Sequence, residues 1–143
     1  MKAIDTNVLV YAEMTSSPHH RQAIAVVRAL AEGQAPWAIP WPCVYEFLRV
    51  VTHPRVYHPP VPAARALGDL QAVLASPSLV LLSETSRHAD ICVEVVQASG
   101  VTGNLMHDAH IAALCLEHGV SELLTGDRDF RRFEGLKVVN PFA

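Results

Sequence analysis

Lysine is almost missing from this chain, which has two lysines against nine arginines. The net charge is −3 and only 17% of the 143 residues are charged. A binder that holds nucleic acid by bulk positive charge is therefore excluded. The basic groups that remain are mostly planar forks suited to phosphate or carboxylate. Cysteine is scarce too. Cys43, Cys92 and Cys115 show no paired spacing, which excludes a zinc-finger or disulfide scaffold and fits reduced core thiols in a cytoplasmic protein. No apolar run reaches the ~20 residues of a membrane span. The first residues lack the basic start, apolar segment and cleavage site of a secretion signal. Repeats, low-complexity tracts and linkers are absent as well.

What is present is a sequence able to fold. Half of the residues are hydrophobic, enough for one core in one domain spanning residues 1–143. Short apolar runs alternate with amphipathic stretches. Lys2 to Asp5, Trp37 to Ile39, Leu79 to Leu82, Ser121 to Thr125 and Leu136 to Val139 read as strands. The run Leu79 to Leu82 reads as a strand covered on both faces. Helices are expected at Val8 to Met14, His19 to Glu32, Pro42 to Val51, Pro62 to Ala75, Arg87 to Ser99 and Leu105 to Glu117. Thr6 or Asn7 would cap the first. Leu67, Leu70 and Leu74 would face inward from the fourth. A stretch with four prolines, Pro54 to Pro62, reads as a rigid surface loop. Alternating strands and helices predict an α/β fold of three layers, with a mostly parallel sheet of four to five short strands flanked by helices.

Most of the fourteen acids fall where a solvated helix face would put them. Glu13, Glu32, Asp69, Glu94 and Glu117 are of this kind. Four others stand apart. Asp5 follows the first strand and Asp127 the fourth. Glu46 is the single acid of an apolar, aromatic helix. Asp108 lies in the first turn of its helix, where a carboxylate is favoured by about 0.3–1 kcal/mol. Ligands of open α/β sheets collect beyond the carboxyl ends of the strands, so these groups can converge there. Alternatively, Asp5 is a turn residue and the four are unrelated surface acids. Convergence needs a counter-charge, because two carboxylates about 5 Å apart repel by about 3 kcal/mol at an effective dielectric near 20. Oxygen ligands of this kind select Mg²⁺ or Mn²⁺, ions suited to phosphodiester hydrolysis.

The run Ile4-Asp5-Thr6-Asn7-Val8-Leu9, the isolated Glu46, Asp108 within Met106 to Ala113, and Leu124-Thr125-Gly126-Asp127-Arg128-Asp129-Phe130 together resemble the PIN domain. The ending Asn140-Pro141-Phe142 resembles the VapC-type toxins within that family. The resemblance covers the whole chain and implies a Mg²⁺- or Mn²⁺-dependent endoribonuclease. It assigns Asp5, Glu46, Asp108 and Asp127 as the catalytic, metal-holding quartet, with Asn7, Thr125 and Asp129 orienting it or binding water. It also implies an RNA substrate, a VapB-type antitoxin partner and a homodimer. Arg49, Arg128, Arg131 and Arg132 lie close in sequence to the acids and can hold RNA phosphates.

Competing readings are a catalytically silent PIN fold that only binds, and a phosphatase-like phosphotransfer domain. The latter needs a second Asp two residues after the first, where this chain has Asn7. His107 and His110 beside Asp108 raise a zinc site, but no partners are legible, so they read as surface or supporting residues. Trp37 and Trp41 read as core, and His19, His20, His53 and His58 as loop residues without a role.

Overall fold

The computed structural model describes all 143 residues. Its sheet has five strands: β1 (Lys2–Ile4), β2 (Trp37–Pro40), β3 (Leu79–Leu82), β4 (Glu122–Leu124) and β5 (Val138–Val139). All pairs are parallel, in the order β3-β2-β1-β4-β5. Six helices flank it: α1 (Thr6–Glu13), α2 (His20–Glu32), α3 (Trp41–Val51), α4 (Ala63–Leu74), α5 (His88–Ser99) and α6 (Leu105–Glu117). α1 packs on α2 and α3, α4 on α3, and α5 on α6.

The central strands are short and wholly apolar inside. Ala3, Ile4, Trp37, Ala38, Ile39 and Leu123 are all fully buried. At about 25 cal/mol per Å² of apolar area, such positions supply most of the drive to fold. β3 differs from the expectation of a strand covered on both faces. It is an edge strand, and Val80 is exposed. An apolar run cannot by itself distinguish the middle of a sheet from its edge. α4 differs as well. Ala66 and Leu70 face the core while Leu67 is 47% exposed. Of the cysteines, Cys43 and Cys115 are buried as expected and Cys92 is exposed. Trp37 is core, but Trp41 opens α3 at the surface.

Register positions the site. Ile4 pairs with Leu124, so the next residues, Asp5 and Thr125, emerge side by side from the carboxyl ends of β1 and β4. The Asp5 amide donates to the Leu124 carbonyl at 3.1 Å. Pro40 ends β2 on the same edge and α3 begins at once. Every strand of a parallel sheet delivers its carboxyl end to one rim.

Candidate active site

Asp5 is the N-cap of α1. Its Oδ1 accepts from the Thr6 amide at 2.7 Å. The capping and site readings of Asp5 are thus the same geometry, and the cap is Asp5 rather than Thr6 or Asn7. Its other oxygen, Oδ2, accepts from Thr125 Oγ1 at 2.8 Å and Asn7 Nδ2 at 3.0 Å. Asn7 Nδ2 also reaches Thr125 Oγ1 at 2.9 Å, and Asn7 Oδ1 accepts from the Gly126 amide at 3.1 Å. The Asp127 amide donates to Thr125 Oγ1 at 3.0 Å. Asn7 and Thr125 therefore tie the two strand ends together. A Cβ at Gly126 would meet Phe142 at 3.2 Å, so the residue between Thr125 and Asp127 has little room for a side chain.

One contributor was not legible as a site residue. Cys43, in the first turn of α3, donates its Sγ to Asp5 Oδ1 at 3.7 Å. Burial holds that thiol well above its ordinary pKa, and the neighbouring Asp5 charge adds to this. It stays a neutral donor. Nothing in its spacing to other cysteines points to the role.

The structure brings Asp108, Asp127 and Asp129 together, with one oxygen from each within 4.8 Å of the others. Asp5 lines the same cleft at its buried floor. Asp129, expected only to support the others, is thus a member of the cluster. Asp127 also caps the turn that follows it, since its Oδ1 accepts from the Asp129 amide at 2.8 Å. Asp108 titrates at about 6. Burial is the largest cause, followed by the charges of Asp127, Asp5 and Asp129, with His107 opposing them. Asp5 is also raised, by burial first, against the lowering effect of its Thr125 and Thr6 hydrogen bonds. Both directions report first the burial of the carboxylates and then their closeness to one another. An all-oxygen donor set with this unrelieved repulsion fits a hard divalent cation.

Glu46 lies outside the cluster of three. It lines the cleft, but Arg49 grips it in a forked pair at 2.6 and 3.1 Å. The spacing of three along α3 makes that pairing local. Of the four arginines proposed for RNA, only Arg49 lines the cleft. Arg132 pairs with Asp129 at 3.4 Å, and Arg128 and Arg131 are exposed. The cleft has a volume of about 790 Å³ and is completed by Tyr11, Pro42, Tyr57, Asn104, His107 and His110. Tyr57 comes from the proline-rich loop, whose place in the fold was not legible.

Two acids expected on solvated faces are elsewhere. Glu117 is buried at the end of α6 and accepts from the Thr85 amide at 2.7 Å and His88 Nδ1 at 2.6 Å. Burial raises its pKa, but the His88 and Thr85 bonds outweigh this and hold it low. Glu13 is half-buried, and its Oε1 has no partner. Burial, then the adjacent Asp69, pushes it up to about 7.

Residues 2–136 match the PIN domain family. The chain is 37% identical to Ribonuclease VapC37 of Mycobacterium tuberculosis, over all of this chain and 99% of that one. Its fold is shared by VapBC2 from Rickettsia felis, solved with a DNA fragment from the promoter, at a TM-score of 0.69 and 20% identity, covering 97% of both chains. It is shared as well by a toxin–antitoxin complex from Klebsiella pneumoniae, at 0.62 and 21%, covering 99% of this chain and 98% of that one. With its acid-rimmed parallel sheet and this kinship along its full length, the chain belongs to the PIN domain family, among the VapC ribonucleases.

Proposed function

We propose that residues 1–143 work as one domain, a Mg²⁺- or Mn²⁺-dependent endoribonuclease that is the toxin of a VapBC-type toxin–antitoxin pair. The observation that carries this reading is the close approach of Asp108, Asp127 and Asp129 beside the buried Asp5. Asp5, Asp108 and Asp127 are the residues to hold the ion, with Asp129 in reach of it. When bound, a hard divalent cation supplies charge neutralisation at the scissile phosphate and activation of water. Asp5 is set by Thr125, Asn7 and Thr6, so its carboxylate is oriented before any ligand arrives. In the metal-free chain Asp108 is pushed up to about 6, so it must give up its proton to hold the ion, and metal binding strengthens as pH rises through that range.

Glu46 is the fourth member of the quartet. Its role requires release from Arg49, whose guanidinium is then free for an RNA phosphate. Arg128, Arg131 and Arg132 follow Asp127 closely in sequence, with Arg132 paired to Asp129, and serve the flanking phosphates. The antitoxin of the pair binds across this acidic cleft, where a basic side chain is favoured. Tyr45 of α3 and Leu67 of α4 are exposed apolar residues that support a homodimer. No helix is long and apolar enough to cross a membrane.

The test is RNA cleavage by the purified protein after stripping with EDTA. Cleavage is expected to stop, and to return with Mg²⁺ or Mn²⁺. Undiminished cleavage in EDTA would overturn the metal-dependent reading. No cleavage of any RNA under restored Mg²⁺ would favour a domain that only binds.

A further inference from the structure

A second group of ligand atoms lies beside the acidic cleft and is chemically unlike it. Glu84, in the loop after β3, His88, the first residue of α5, and His110 of α6 each offer one atom within 4.8 Å of the others. The His110 ring nitrogen Nε2 lies 2.7 Å from Glu84 Oε1. The two imidazole rings are 5.6 Å apart, nearly edge to face. His88 is fixed from behind, because its Nδ1 contacts Glu117 at 2.6 Å and the Glu117 side chain is fully buried. That leaves the His88 Nε2 as its outward ligand atom.

We infer that Glu84, His88 and His110 form a binding site for a borderline divalent cation of the zinc type, separate from the acidic nest. Two imidazoles and one carboxylate favour zinc over Mg²⁺, whereas the oxygen-only nest has the opposite preference. A buried carboxylate behind a ligating imidazole is the arrangement that fixes its ring and tautomer. Three protein ligands leave a fourth tetrahedral place for water. The movement required is small. Ligands about 2.0–2.1 Å from a tetrahedral ion stand about 3.3 Å apart, so the Glu84–His110 contact opens by about half an ångström. The remaining atoms close in from at most 4.8 Å.

His107, the other histidine beside Asp108, is not in the group. The ligands were not legible together because they come from three places in the chain, the loop after β3, α5 and α6, that meet only in the fold. The ion would join the loop after β3 to both helices. Because Asp108 lies two residues before His110, it would also hold α6 at the rim of the cleft. This inference stands apart from the ribonuclease reading.

The experiment titrates Zn²⁺ into the full-length, EDTA-stripped protein against a colorimetric zinc indicator, with millimolar Mg²⁺ present to occupy the acidic nest. Wild type is expected to take one equivalent from the indicator, and Asp108→Asn to take the same. His110→Ala should lose that equivalent, and Glu117→Gln should weaken it by about 10- to 100-fold. Co²⁺ in place of Zn²⁺ should give visible bands of a four-coordinate ion in wild type, absent from His110→Ala. Glu84→Gln, at an exposed position, makes the same comparison if His110→Ala does not fold. Binding that survives in His110→Ala or Glu84→Gln but fails in Asp108→Asn would overturn the proposal and place the ion in the nest. A wild type that takes no zinc would overturn it as well.

Discussion

Asp108 bears a cost from burial and from the acids gathered around it. Its ordinary pKa of 3.8 becomes about 6 in the folded chain. A carboxyl raised on folding binds its proton more tightly in the native state. In the metal-free protein, stability therefore falls as pH rises from about 4 to about 6, and the penalty is complete above that. Allowing for solvent screening at this part-exposed position, the penalty is about 1–2 kcal/mol. Asp108→Asn should melt about 3–8 °C above wild type at pH 7.5 without metal, and level with it near pH 4. Mg²⁺ should raise the wild-type melting temperature more than that of the variant. Thermal melts at the two pH values, with and without Mg²⁺, check this. Glu13 carries a similar penalty away from the cleft. It titrates at about 7, with one oxygen unpartnered and Asp69 beside it. Its cost grows as pH rises from about 4.5 to 7. Allowing for solvent screening at this part-exposed position, Glu13→Gln should raise the melting temperature by a few degrees, about 1 kcal/mol, at pH 8, and the gain should shrink toward pH 5.

Elements place these groups more firmly than loops do. Asp5 and Thr125 stand side by side because β1 and β4 pair in a register that makes Ile4 face Leu124. The strand-end position of the acids was legible, since Asp5 directly follows one apolar run and Asp127 follows another after Thr125 and Gly126; the pairing that sets the two ends side by side was not. Nor were the neighbours of each acid. Glu46 is held by Arg49, three residues away, whereas Asp129 joins Asp108 from a different element. Sequence distance shows the first contact and hides the second. Glu117 shows the same limit. Its position at the end of an amphipathic helix resembles that of a solvated acid, yet α5 packs over it and supplies His88. Glu117→Ala should strand the Thr85 amide and His88 and destabilise the chain by about 3 kcal/mol, read as an earlier midpoint in urea with an unchanged slope. A midpoint within error of wild type would show that α5 holds without it.

At the scale of the whole molecule, a sheet with every strand parallel collects all its carboxyl ends at one rim, and the helices that follow begin there. That arrangement brings strand-end and helix-start acids into one cleft from positions as distant as Asp5 and Asp127. The alternation of strand and helix made the parallel sheet legible. The strand order, and with it the exposure of β3 at the edge, depended on pairings that no single segment encodes. The central claim is that the gathered carboxylates of Asp5, Asp108 and Asp127 perform RNA cleavage. Its most direct test is the single-turnover cleavage rate of wild type, Asp5→Asn and Asp108→Asn in Mg²⁺, with folding checked by circular dichroism. Loss of an outer-shell partner commonly costs 10- to 100-fold, so loss of a metal-holding carboxylate should slow cleavage by more than about 100-fold. Folded variants that cleave RNA at the wild-type rate would contradict the account.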